Sequence, residues 1–277
     1  MDPETTISIV LILCTAFFFA PLGLGGGVLF VPIFHYIMGW SIQLSLVGSL
    51  ILVMMVSMGS RRAHSKGGYA IMEVGKSAIP FAIIGAVSGA VIGAILVNQV
   101  GDFTIKMAAA ALLAWVIVRT VGQLAGEVNE NGSEAIEPGE RIEDGVMTTY
   151  KGLCLAGGTA SGLLGIGGGS LFVMFHRTLF AWKPHYAAGT SYIIETWMVP
   201  VGIAAHLAID HTGGELWTTV GPAIIAVMLL AYAAAWLGAR VAIKMVPQQV
   251  LSYPFLIALV ASLGRYCWDI MGMAGLA

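Results

Sequence analysis

The chain has 277 residues, 58% of them hydrophobic and 10% charged, with a mean hydropathy of +0.88. That balance excludes an ordinary soluble domain, and apolar runs of roughly 20 residues, enough to cross about 30 Å of hydrocarbon, point to spanning helices rather than barrel strands. A formal charge of −2 carries no nucleic-acid footprint, so the partner that composition calls for is the lipid bilayer.

In chain order, apolar segments run from about Thr6 to Ala20, Val28 to Met38, Ile42 to Met58, Val74 to Val97 and Phe103 to Val121. A polar stretch follows: Glu127 to Asp144 holds seven acidic residues with Gly132, Pro138 and Gly139 and no apolar period, the composition of a flexible connector. The order then repeats, from about Val146 to Leu164, Ser170 to Phe180, Ala187 to Leu207, Leu216 to Ala242 and Val250 to Val260. The predicted organisation is a first membrane repeat over residues 1–124, an acidic cytoplasmic linker over 125–145 and a second membrane repeat over 146–277. Met1-Asp2-Pro3-Glu4 lacks the basic region of a cleavable signal peptide, so the first apolar segment is expected to drive insertion itself. Cys14, Cys154 and Cys267 have neither metal-ligand nor disulfide-framework spacing and read as small core hydrophobes.

The repeat is written residue for residue. Gly23-Leu24-Gly25-Gly26-Gly27-Val28-Leu29-Phe30-Val31 returns 142 residues later as Gly165-Ile166-Gly167-Gly168-Gly169-Ser170-Leu171-Phe172-Val173, with seven of nine positions identical. Trp40 and Trp182, and Ser49 and Ser191, keep the same offset. Each motif interrupts an apolar stretch with glycines, and irregular backbone inside a membrane is tolerated only where protein or an aqueous cavity covers it.

Basic residues set the orientation. Arg61, Arg62, Lys66, Lys76, Arg119, Arg141, Lys151, Arg177, Lys183, Arg240 and Lys244 all flank connections that can lie on one side, leaving Lys106 and Arg265 as exceptions, so those connections are expected inside and both termini outside. The loop after Met58 is basic, whereas its counterpart from Ile209 to Glu215 is acidic, so the two halves face opposite ways. The pieces around each glycine motif, about 11 to 19 residues, are mostly too short to cross upright. The fold expected is an all-α polytopic membrane protein of two inverted repeats, each a glycine-broken, re-entrant helical hairpin plus three transmembrane helices; five full crossings per half is the alternative.

A helix that starts after a glycine break presents unpaired N–H groups and partial positive charge, a favourable seat for an anion. Two such ends from opposed hairpins would hold one anion between Gly25, Gly26 and Gly27 and Gly167, Gly168 and Gly169, although the glycines could instead serve close helix packing. Ser170, Ser49, Thr190 and Ser191 are candidate hydroxyl donors to oxyanion oxygens, against the alternative that they bond to their own helix carbonyls. Glu195 follows Ser191 by one turn, where the first half has Val53. A carboxylate in an apolar span is costly unless paired, hydrated or protonated, which makes it a candidate proton carrier or a structural hydrogen-bonding group. His206 is expected near the outer interface, Arg265 and Asp269 as an ion pair at i and i+4, and His35, His176, His185 and His211 show no metal-ligand spacing. No nucleophile elbow, P-loop or metalloprotease helix is present, so no enzyme activity, cofactor or metal is called for.

The doubled glycine motifs, the Gly189-Thr190-Ser191 after the second and the Arg61-Arg62 loop resemble the sulfite exporter TauE/SafE family of membrane permeases, over nearly the whole chain. The sequence departs from a strict duplicate at Met174, where the first copy has Pro32. The resemblance implies transport of small sulfur-containing anions such as sulfite or organosulfonates like sulfoacetate, often outward across the cytoplasmic membrane, with coupling to protons and homo-oligomerisation both compatible with it. A passive anion channel, or an importer of another small oxyanion, is the alternative on the same scaffold.

Overall fold

The computed structural model describes residues 3–125, 140–210, 212–245 and 248–275; residues 126–139 of the expected linker, and His211, lie outside the described residues. In the first half α1 (Pro3–Phe19) runs through a 3-10 turn (Ala20–Leu22) to the first glycine break, then α2 (Gly27–Pro32) widens into a π-helical stretch (Ile33–Ile37) at Pro32. Then come α3 (Ile42–Lys66), α4 (Met72–Val100) and α5 (Asp102–Leu124). Ser41 starts α3 by accepting a hydrogen bond from the Leu44 N–H at 3.3 Å, the usual way a hydroxyl caps a helix start.

The second half repeats these elements as α6 (Asp144–Leu164), α7 (Gly169–Leu179), α8 (Pro184–Ile209), α10 (Ala223–Met245) and α11 (Gln248–Met273), with a short α9 (Gly213–Val220) inserted before α10. Proline opens α8 at its first position, where its missing N–H is no loss. The sequence pattern predicts one segment from Leu216 to Ala242; the structure divides it at Gly221, whose φ of 57° leaves the helical region, and at Pro222, which has no N–H to continue the ladder.

No strand occurs among the described residues, and seven helices are long and apolar enough to cross a membrane: α3, α4, α5, α8, α10, α11 and the first arm Pro3–Leu22. Six of these are the crossings expected from the sequence. The seventh exceeds expectation because its helix begins at Pro3, before the apolar run.

Helix pairing exchanges between the halves. The fourth-segment helix of each half packs on the first helix of the other, α4 on α6 and α10 on α1, while α4 packs on α8 and α10 on α3; α3 meets α8 and α5 meets α11 across the middle. Small residues make the closest of these seams. A Cβ on Gly85, Gly89, Gly158 or Gly162 would collide with the backbone of Leu155, Thr159, Ala82 or Ala86 across the α4–α6 seam, and one on Gly238 with Phe17 across the α1–α10 seam. In a bilayer, where apolar side chains gain little by leaving lipid for protein, such backbone approach supplies the dispersion contact that holds helices together.

Three local expectations are corrected. Asp269 pairs with Lys106 of α5 at 2.5 Å, not with Arg265, which instead lies over the Tyr36 ring at 4.4 Å. His206 is buried, bonded to Asp210 and to the Gly162 carbonyl at 2.7 Å each, and so staples α8 to α6 rather than lying at an interface. Cys154 is a core residue as expected, but Cys14 and Cys267 are exposed on helix surfaces.

Candidate functional site

The two glycine breaks meet at the centre of the bundle in matching conformations. Gly26 and Gly168 each cap a half-helix in the left-handed region with φ of 79°, and neither α2 nor α7 receives a side-chain cap on its first N–H groups. A side chain at either position would strain the backbone and strike the phenylalanine one turn on, Phe30 or Phe172, within 2.8 Å. The two breaks interlock: a Cβ on Gly27 would enter the Ile166 backbone, and one on Gly169 would come within 2.5 Å of the Gly23 carbonyl oxygen.

Reciprocal hydrogen bonds tie the breaks to the helices that follow them. The Ser49 hydroxyl donates to the Gly165 carbonyl at 2.7 Å, and its repeat mate Ser191 donates to the Gly23 carbonyl at 3.4 Å, so each half's serine reaches the other half's motif. Each serine also donates to a carbonyl of its own half, Ser49 to Gly27 at 3.3 Å and Ser191 to Ala188 at 2.9 Å, and both are fully buried. The structure thus brings together Gly25, Gly26, Gly27, Ser49, Gly167, Gly168, Gly169, Ser170 and Ser191. Thr190 is apart from them: its hydroxyl accepts from the Ile71 N–H at 3.1 Å at the start of α4.

Glu195, twelfth of the 26 residues of α8, is 0% exposed and lies against both motifs. A Cβ on Gly25 would be 2.8 Å from its Oε2 and one on Gly169 would be 2.7 Å from its Oε1. Neither carboxylate oxygen meets full hydrogen-bond geometry with a described residue, although the Ser191 hydroxyl one turn back is close enough to act on it. Its repeat mate Val53 fills the matching place with an apolar group, closing on Gly25 and Gly167. Ser170, 8% exposed and second in α7, likewise has a buried hydroxyl without a partner. An uncapped pair of half-helices, an orphan hydroxyl and an orphan carboxylate in one buried place is unusual, because buried polar groups are nearly always satisfied.

Over residues 8–266 the sequence matches the family described as Sulfite exporter TauE/SafE. The chain belongs to that family. TauE/SafE proteins are membrane transporters and not enzymes, so this chain is a multi-pass membrane permease of the sulfur-anion type. No curated protein and no solved structure matches it.

One feature of this TauE/SafE protein escapes the sequence reading, which takes Arg119, Arg177 and Lys183 only as orientation signals. All three line a cavity of about 340 Å³ that reaches inward to Ser170 and Leu24. The signal was present in the spacing, since Arg177 follows Ser170 by seven residues, two turns along one face of α7.

Proposed function

We propose that this chain is a secondary transporter that carries sulfite or a small organosulfonate outward across the cytoplasmic membrane, binding it between the two glycine breaks and coupling its passage to protons through Glu195. The observation that carries the reading is the reciprocal junction itself, in which two opposed half-helix N-termini converge on buried polar groups that protein alone leaves unsatisfied. Backbone N–H groups at the first turns of α2 and α7, with the unpartnered Ser170 hydroxyl, supply donors for oxyanion oxygens without a fixed cation that would hold the anion too tightly to release, while Ser49 and Ser191, whose hydroxyls already donate to carbonyls, hold the two breaks together. Inverted repeats built from re-entrant hairpins give the mechanism its symmetry: rocking one half on the other would open the junction first to one side and then to the other. Full burial of Ser49, Ser191 and Glu195 favours such a carrier over a passive channel, which needs a continuous wet path.

The sign of the coupling follows from position. A charged Glu195 repels an anion at the junction and a protonated one does not, so proton and anion binding favour each other and the two move together, outward passage being driven by the anion's own gradient and not by the inward pull on protons. Flux of sulfite into proteoliposomes tests the reading. Wild type should give saturable uptake that rises when the anion side is acidified, and Gly169→Val, which fills the space before the Gly23 carbonyl, should give none at equal incorporation. Linear, unsaturated flux would mark a channel; undisturbed flux in Gly169→Val would remove the junction from the path.

A further inference from the structure

The junction is small and symmetric in backbone, but the approach to it is not. On one side, the 340 Å³ cavity is bounded by Arg119 of α5, Arg177 of α7 and Lys183 at the start of α8, with Trp115 and Trp182 among its walls and Ser170 at its depth. Among the described residues no carboxylate lines it, and none of the three cations takes part in an ion pair between described residues. Arg119 donates one Nη to the Thr178 hydroxyl at 3.2 Å and leaves a buried Nε without a partner, while its charge acts on Arg177 close by. Two guanidinium groups brought together without an acid repel each other, and an anion between them removes that cost.

The other repeat does not reproduce this set. At the positions matching Ser170, Arg177 and Lys183 it carries Val28, His35 and Ser41, and the cavity beside its own hairpin is lined, among the described residues, by a single cation, Arg265 of α11, which lies over the Tyr36 ring at 4.4 Å. The cluster of three cations is therefore not a product of the duplication.

We infer that this cavity is a recognition site on the basic side of the protein for an organic oxyanion, gripped at its head by Arg119 and Arg177 with Ser170 below and at a second polar end by Lys183, before it passes to the glycine junction. Its volume is at the lower end of the roughly 300–1,000 Å³ of small-molecule sites, whereas a bare oxyanion would leave most of it empty. The indole walls give a short carbon body somewhere apolar to lie. Guanidinium forks match the two oxygens of a sulfonate or carboxylate face, a geometry that a lysine in their place would lose. The inference rests on the transport reading above and adds where, and on which side, an organic anion is selected.

The test uses the full chain, with sulfoacetate and sulfite as probes, titrated in detergent and assayed for flux in phosphatidylcholine vesicles with and without phosphatidylglycerol. Arg119→Gln and Arg177→Gln should each weaken sulfoacetate binding and raise its KM roughly tenfold, with kcat little changed and sulfite affected less than about threefold. If either variant fails to fold, Arg177→Lys and the exposed Lys183→Gln take its place, with a loss of roughly threefold or more in sulfoacetate KM expected of each. Unchanged sulfoacetate binding, or equal losses for both anions, overturns the site while wild-type flux leaves the transport reading standing. Losses seen only with phosphatidylglycerol present would assign the cavity to a lipid headgroup and also overturn it. A wild type that moves neither anion removes both readings together.

Discussion

At the scale of single residues, the junction turns on one substitution between repeats, Val53 in the first and Glu195 in the second. Both side chains close on the glycine motifs, but only one can carry a proton. Glu195→Gln keeps shape and one hydrogen-bonding oxygen while removing the charge, so it mimics the protonated state. Anion affinity in Glu195→Gln should be at least that of wild type at neutral pH and should depend less on pH than that of wild type, whose affinity rises as pH falls. Titration of sulfoacetate, whose own charge is constant around neutral pH, decides it, with flux under an imposed pH difference as the second readout. Parallel pH curves in the two proteins would make Glu195 a packing residue. The sequence displayed this position because a lone carboxylate in an apolar span is conspicuous, and it displayed Ser49 and Ser191 because the duplication repeats them. It did not separate Ser191 from Thr190: neighbours on a helix point about 100° apart, and only the packing of α8 shows that Ser191 meets Gly23 while Thr190 meets Ile71. The Lys106–Asp269 pair was equally hidden, since its partners come from α5 and α11 and no local spacing joins them.

At the scale of elements, the helices were legible from hydropathy and their limits from glycine and proline, but their pairing was not. Gly158 and Gly162 of α6 lie one turn apart, a spacing common in membrane helices, and nothing in the sequence says that Ala82 and Ala86 of α4 are what they face. The seam predicts its own weak point. Gly162→Val would drive a branched side chain into the Ala86 carbonyl and should destabilise the protein by about 1–3 kcal/mol, because a backbone has little room to retreat. Gly152→Val on the same helix meets nothing within 4 Å and serves as the control. Thermal unfolding in detergent should show a clear loss for the first and almost none for the second. Similar transitions would mean that α4 and α6 do not approach as closely as this seam requires. The loss at Gly162 should extend to transport, since α6 carries the second glycine break at its end and α4 holds it in place.

At the scale of the whole molecule, the exchanged pairing of helices and the crossed serine bonds join two halves that pack on each other reciprocally, an arrangement open to inverted and to parallel repeats alike. Where the bilayer lies is argued by charge. Arg61, Arg62 and Lys66 end α3, while Asp210 and Glu215 flank the equivalent turn after α8, and moving the basic set to the outside would oppose the usual retention of cations on the cytoplasmic face. Single cysteines test the placement once Cys14, Cys154 and Cys267 are replaced. Ser65→Cys and Gly214→Cys are suited to this, because both positions are exposed, Ser65 at the end of α3 and Gly214 at the start of α9, which follows α8. In intact cells a membrane-impermeant maleimide should label Gly214→Cys and spare Ser65→Cys, and after the cells are opened both should react. The proposed orientation would put the Arg119, Arg177 and Lys183 cavity on the cytoplasmic side, where an exporter must collect its substrate. Reversed labelling would turn the cavity outward and, with it, the proposed direction of transport; labelling of both sites from outside would mean that the two halves run parallel and that the crossed serines arise without inversion.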